Sequence, residues 1–123
     1  MPATSFRDLK VWQKAHAAVK APCRLSQDFP PQERFGLTAQ ARAAAVSIPA
    51  NICEGFGRRS RREKARFYNI AEGSLEELRY YLILAVDLGF VCDARSLEQC
   101  LDEVARMLRA LIRSVLAYPE DPV

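Results

Sequence analysis

Apolar residues recur along this chain at spacings of three and four, the repeat of helices with one buried face. No segment alternates with the period of two that marks a half-buried strand. Four stretches carry the helical repeat. In the first, which begins near Phe6, Leu9, Val11, Trp12, Ala15 and Val19 form the expected buried stripe. Pro22 has no amide hydrogen and should kink or end this helix, and Phe29-Pro30-Pro31 closes the segment. The second runs from about Phe35 or Gly36 to Phe56 and is dominated by small residues, among them Ala39, Ala41, Ala43, Ala44, Ala45 and Ala50. Small side chains let neighbouring backbones approach closely, so this helix is expected at the centre. Pro49 lies inside it. The apolar repeat Ala41, Ala45, Ile48, Ile52 continues across the proline, which favours one bent helix over two. Gly55 and Gly57 are expected to supply C-terminal capping conformations.

The third stretch opens on Ser60-Arg61-Arg62-Glu63, a capping-box pattern. Its expected stripe is Phe67, Ala71, Ser74, Leu78, Leu82 and Ala85, and Gly89 should end it. The fourth is the most regular: Leu97, Leu101, Val104, Leu108, Leu111 and Val115 make a heptad seam, with Ser96 and Gln99 as a second capping pattern and Pro119 as the stop. The predicted fold is all-α: an up-down-up-down antiparallel four-helix bundle with its second helix bent near Pro49. Its helices span about 6–28, 35–56, 61–88 and 94–117 of a single domain, 1–123. One segment exceeds what a bundle needs. Tyr80 to Val86 is apolar on every face, so Tyr80, Tyr81, Ile83, Leu84 and Val86 are the expected oligomer interface.

Composition adds limits. Half of the 123 residues are apolar and 27% are charged, the balance of a globular domain. No apolar run approaches the roughly 18 residues of a membrane span. The first residues lack the charged-then-apolar pattern of a signal peptide, so a cytoplasmic protein is expected. Cys23, Cys53, Cys92 and Cys100 form no C-x-x-C pair and read as buried thiols rather than metal ligands. His16, the one histidine, has no recognisable nucleophile or carboxylate partner. Glu72, Glu76 and Glu77 share a helix, but a di-metal bundle needs two Glu-x-x-His motifs, so a solvated face meeting Arg79 is the plainer reading. Gly55-Phe56-Gly57 has neither the third glycine nor the preceding strand of a dinucleotide fingerprint.

Charge gives the one candidate site. Residues 58–66 hold six basic residues and one acidic, net +5 in a chain of net +3. Cations in the first turn of a helix oppose its dipole unless an anion offsets them. Arg58, Arg59, Arg61, Arg62, Lys64 and Arg66 surround free backbone amides there, an arrangement that suits phosphate. Arg42 is a further, more distant candidate that falls between helices. The plainer reading is that Glu54, Glu63 or a neighbouring subunit neutralises the cluster. No aromatic-rich stacking motif of RNA-binding modules is present, so contact would be with the phosphate backbone.

Several of these motifs together resemble a known family. Phe6-Arg7-Asp8-Leu9-Lys10-Val11-Trp12 is similar to its opening motif. Phe35-Gly36-Leu37, Ala44-Ala45-Val46-Ser47-Ile48-Pro49-Ala50-Asn51-Ile52 and Glu54-Gly55-Phe56-Gly57-Arg58 are similar to its central signature. Phe67, Gly73-Ser74, Glu76 and Asp87-Leu88-Gly89 continue the match over about residues 6 to 118. The family is that of bacterial four-helix-bundle proteins encoded within intervening sequences of 23S ribosomal RNA genes, often labelled S23 ribosomal protein. It is similar in fold to accessory variability proteins of diversity-generating retroelements. Pro22 and Cys53 depart from the pattern. The resemblance implies a ring-shaped homo-oligomer, a pentamer, that binds RNA or DNA and has no enzymatic activity, with a reverse transcriptase or other protein as a candidate partner. The expected function is therefore that of an oligomeric nucleic-acid-binding accessory protein without metal or cofactor. A protein-interaction scaffold is the alternative, and an enzyme with a site in the bundle core a third reading.

Overall fold

Four helices make up the structure: α1 (Lys10–Leu25), α2 (Leu37–Phe56), α3 (Arg61–Asp87) and α4 (Arg95–Leu116). The computed structural model of the chain describes residues 3–117, apart from the side chains of Pro22 and Cys23. Each helix packs on the next, α1 closes the ring against α4, and the diagonal pairs do not meet among the described residues. Contacts across the α2–α3 seam run in opposite senses: Gln40 meets Tyr81, Ser47 meets Ser74, and Gly55 meets Tyr68. The linkers require the same. Residues 57–60 connect α2 to α3, and four residues reach about 14 Å at most, far short of the length of either helix.

The predicted first helix divides into three parts. A 3-10 turn, Phe6–Asp8, is capped by Ser5, whose Oγ accepts the Arg7 amide. α1 follows and continues past Pro22 to Leu25, where a second 3-10 turn, Ser26–Asp28, leads into extended Phe29. α2 passes through Pro49 as one continuous helix. Ala41, Ala45, Ile48 and Ile52 are all buried, so the stripe does cross the proline.

Of the two glycines near the end of α2, Gly57 is the C-cap, its amide donating to the Cys53 carbonyl, and Gly55 is not. Gly57 closes the helix in ordinary right-handed conformation (φ −77°). Gly55 is buried inside the helix, and a Cβ there would lie 2.6 and 2.8 Å from two carbons of the Tyr68 ring. Its role is close approach: the missing side chain is the room that Tyr68 occupies. Tyr68 and Leu75 accordingly hold the centre of α3, where Phe67 and Ser74 were expected. Phe67 is half-buried, and Ser74 faces α2, its hydroxyl 2.7 Å from that of Ser47.

Gly89 does end α3 as expected. It has φ +78°, donates to the Val86 carbonyl, and is followed by Phe90, which donates to the Ala85 carbonyl. This is a Schellman closure, which a residue without Cβ enters freely. On α4, Leu97, Leu101, Val104 and Leu108 are buried as the heptad requires. Its start differs from the expected capping pattern. Ala94 is the cap residue, Ser96 and Gln99 lie inside the helix and are exposed, and the Asp93 carboxylate accepts the Arg95 amide at 2.8 Å.

The thiols also depart from the sequence reading. Cys92 and Cys100 are exposed; Cys53 is half-buried, and its desolvation raises the thiol above its usual range. Gly73 lies exposed in the middle of α3, and a Cβ added there would meet nothing within 4 Å. Glycine at an exposed helix interior costs about 1 kcal/mol relative to alanine. Gly73→Ala should therefore raise stability by roughly 0.5–1 kcal/mol in urea unfolding; a loss would show that this backbone position is constrained in a way the isolated subunit does not reveal.

Candidate functional site

The α2–α3 turn is built by three local devices. Ser60 caps α3: its Oγ accepts the Glu63 amide at 3.1 Å. The reciprocal half of the capping box is absent, since the Glu63 carboxylate pairs with Arg66 Nε at 3.0 Å. Lys64 turns inward. Its Nζ donates to the Phe56 carbonyl at 2.6 Å and, more weakly, to that of Gly55, and it lies 5.2 Å from the centre of the Phe56 ring. A cation there complements the negative end of α2. The partial burial that this requires holds the ammonium below the ordinary lysine range. Lys64 thus serves the turn itself rather than facing outward with the arginines.

Phe67 organises two of those arginines. The Arg58 guanidinium carbon lies 4.4 Å from the ring centre and that of Arg66 lies 4.9 Å away. Arg58 also donates to Glu54 at 2.8 Å, one turn back on α2. Exposed ion pairs of this kind contribute little, about 0.3–0.5 kcal/mol, and cation–π contacts at such sites about 0.5–1 kcal/mol. They order the side chains without consuming them: an arginine carries five donors, and a single carboxylate leaves most of the fork available. Arg59 and Arg62 are exposed beside them, and Arg61 is half-buried. Phe67 belongs to no repeated stacking motif; in the sequence its role shows only as an aromatic one residue after Arg66 and nine after Arg58.

The pattern of one protein family, described as the 23S rRNA-intervening sequence protein, matches residues 7–110. The chain belongs to this family. A crystal structure of a protein of unknown function from the S23 ribosomal protein family of Bacteroides thetaiotaomicron VPI-5482 superposes with a TM-score of 0.77 and 24% sequence identity, over 84% of this chain and 98% of that one. That likeness establishes the shared helical fold. No curated protein matches the chain.

Other candidate residues fall away from the turn. Arg42 lies toward the opposite end of α2, about 24 Å along the helix from Arg58, and donates through Nε to Ser26 Oγ at 2.7 Å. It links α2 to the turn after α1 and does not join the cluster. His16 is exposed and stacked on Trp12, ring centres 4.9 Å apart and planes within 6°. Glu76 pairs with Arg79, which also bridges to Asp102 on α4 at 2.6 Å. The described residues contain no group of three or more His, Cys, Asp and Glu side chains that could hold a metal ion, and no helix among them is long and apolar enough to cross a membrane.

The apolar half of α3 is partly used within the subunit, contrary to the expectation that its surplus needs a partner throughout. Tyr81 and Leu84 pack with Phe29, Leu37, Phe90 and Val91 in a second small core, and Val86 packs on the main one. The Tyr81 hydroxyl meets both Glu77 and Gln40. Both partners present acceptor oxygens, Glu77 Oε1 and Gln40 Oε1, and the one hydroxyl proton serves one of them at a time. Tyr80 and Ile83 remain outside, 58% and 50% exposed.

Proposed function

We propose that this chain is a non-catalytic, oligomeric accessory protein of the cytoplasm that binds the phosphate backbone of RNA or DNA through the α2–α3 turn. The observation that carries this reading is the pair of guanidinium groups of Arg58 and Arg66 held beside Phe67, with Arg59 and Arg62 exposed next to them. Guanidinium groups oriented in advance lose less side-chain entropy when they close on a phosphate. Tyr80 and Ile83 support self-association, and a ring, such as a homopentamer, would repeat the basic turn in every subunit, so that weak contacts add through avidity.

Backbone binding carries a steep salt dependence set by the number of phosphates neutralised. About four to five phosphates neutralised per complex predict a loss of roughly 100-fold or more in affinity between 50 and 200 mM salt. Fluorescence anisotropy with a labelled RNA and a DNA of the same sequence measures it. An affinity for either that does not change with salt would refute the reading.

A second reading, a protein-interaction scaffold that engages a reverse transcriptase or another protein and binds no nucleic acid, draws on Phe35, 86% exposed beside Arg34. Such a scaffold could equally use Tyr80 and Ile83 of α3, and light scattering decides that use: a closed oligomer accounts for them, whereas a monomer leaves them for a different protein.

A further inference from the structure

The antiparallel order gathers charge that the sequence scatters. Residues 5–14, 50–76 and 103–117 meet at one end of the bundle, where Lys14 pairs with Glu103 and Glu72 and Glu76 border Arg109, and hold twelve basic and six acidic residues, net +6. Residues 15–49 and 77–102 hold six basic and seven acidic, net −1. The bundle is therefore electrically polar along its length, and the α2–α3 turn is only part of its positive end.

The largest contribution from outside the turn is on α4. Arg106, Arg109 and Arg113 recur at spacings of three and four, so they form one stripe, and all three are exposed. None makes an ion pair among the described residues. Like charges one turn apart on a helix repel by a few tenths of a kcal/mol. Arg113, in the last turn, is repaid by the helix dipole. That effect fades within one turn, so it does not account for Arg106 and Arg109. The Arg79–Asp102 ion pair fixes how α4 lies along α3, and Arg109 borders a groove with Glu72, Gly73 and Glu76. From that level the stripe runs past Glu72 and Glu76 toward the basic start of α3, so that α4 and the start of α3 together carry arginines over about 22 Å of bundle length.

We infer that Arg106, Arg109 and Arg113 form a second line of phosphodiester contacts, so that a nucleic-acid strand lies across α3 and α4 rather than touching the turn alone. This inference rests on the reading given under Proposed function. A surface of about 22 Å matches six or seven nucleotides at roughly 3.4 Å each.

The test uses the full chain and 10-nucleotide RNA and DNA probes, single-stranded and duplex, of one sequence. The triple variant Arg106→Gln, Arg109→Gln, Arg113→Gln should lower affinity about 10-fold or more at 100 mM salt and reduce the salt slope by roughly 2 to 3. A control with the same charge change at the other end, Arg24→Gln, Arg34→Gln, Arg95→Gln, should bind within about 2-fold of the parent, and lysine at the three α4 positions should restore most of the loss. Circular dichroism confirms that each variant is folded. If the parent binds and the α4 variant keeps its affinity and slope, or the control loses as much, the second line is refuted while the turn reading stands. A parent that binds none of the probes overturns both.

Discussion

Replacing Gly55 with alanine should cost the fold about 2 kcal/mol, seen as a melting temperature lower by roughly 8 °C. The added methyl would stand 2.6 and 2.8 Å from the Tyr68 ring and 3.2 Å from the Lys64 carbonyl oxygen. Neither neighbour can yield cheaply. Tyr68 is 2% exposed and closed in by the main core, and the carbonyl belongs to the first turn of α3. Against this stands the helix preference of alanine over glycine, about 1 kcal/mol, which the clash must exceed. A double-mutant cycle isolates the cause. In a Tyr68→Leu background the same exchange should cost nothing or stabilise, a coupling of more than about 1 kcal/mol. Gly73→Ala is the companion measurement, the same chemical change in the next helix with the opposite sign. A Gly55→Ala protein as stable as the parent would show that the α2–α3 seam is not close-packed at this point.

Changing Arg58, Arg59, Arg61 and Arg62 to glutamate should abolish nucleic-acid binding while leaving the protein folded. Each exchange moves the charge by two units, so the chain passes from net +3 to net −5 and the turn repels a phosphate backbone. Stability should change little. The variant loses the exposed Arg58–Glu54 pair and the Arg58–Phe67 contact, each worth under about 1 kcal/mol. It gains acidic side chains in the first turn of α3, where the helix dipole favours them by about 0.3–1 kcal/mol each. Anisotropy should detect no complex at protein concentrations roughly 100-fold above the parental Kd, with the circular dichroism of the parent. If this variant binds RNA and DNA as well as the parent does, the basic turn is not the binding site.

How much of this was legible in the sequence depends on whether a residue's role is set by its own helix or by the next one. The α4 seam was read correctly because a heptad repeats one demand six times along a single helix. The α2 stripe was read correctly for the same reason, and it continued through Pro49. Gly55 was misread because glycine serves both as a helix terminator and as a site of close approach, and only Tyr68 on α3 decides between them. Phe67 and Tyr68 are adjacent aromatics, and the choice of which faces inward was settled by that same missing Cβ. Cys92 and Cys100 were expected inside on the general habits of cysteine, but one lies in a loop and the other on the outer face of α4. The turn cluster was visible because its charges are consecutive. The α4 arginines were not, because they share its end of the bundle only after the chain has reversed direction.

The Ser47–Ser74 hydrogen bond has a further consequence. Buried α2 side chains such as Ala41 and Ala44 are small, and small side chains alone resist a slide by one turn, about 5.4 Å, only weakly. The two hydroxyls, with Asn51 donating to both the carbonyl and the hydroxyl of Ser47, make a polar rung that closes in one position only. It acts as a vernier stop. A slip of one turn would leave the Ser74 hydroxyl without its Ser47 partner, withdraw Tyr68 from the space beside Gly55, and carry Phe67 away from Arg58. Three small polar side chains midway along the bundle thereby set the alignment on which its charged end depends.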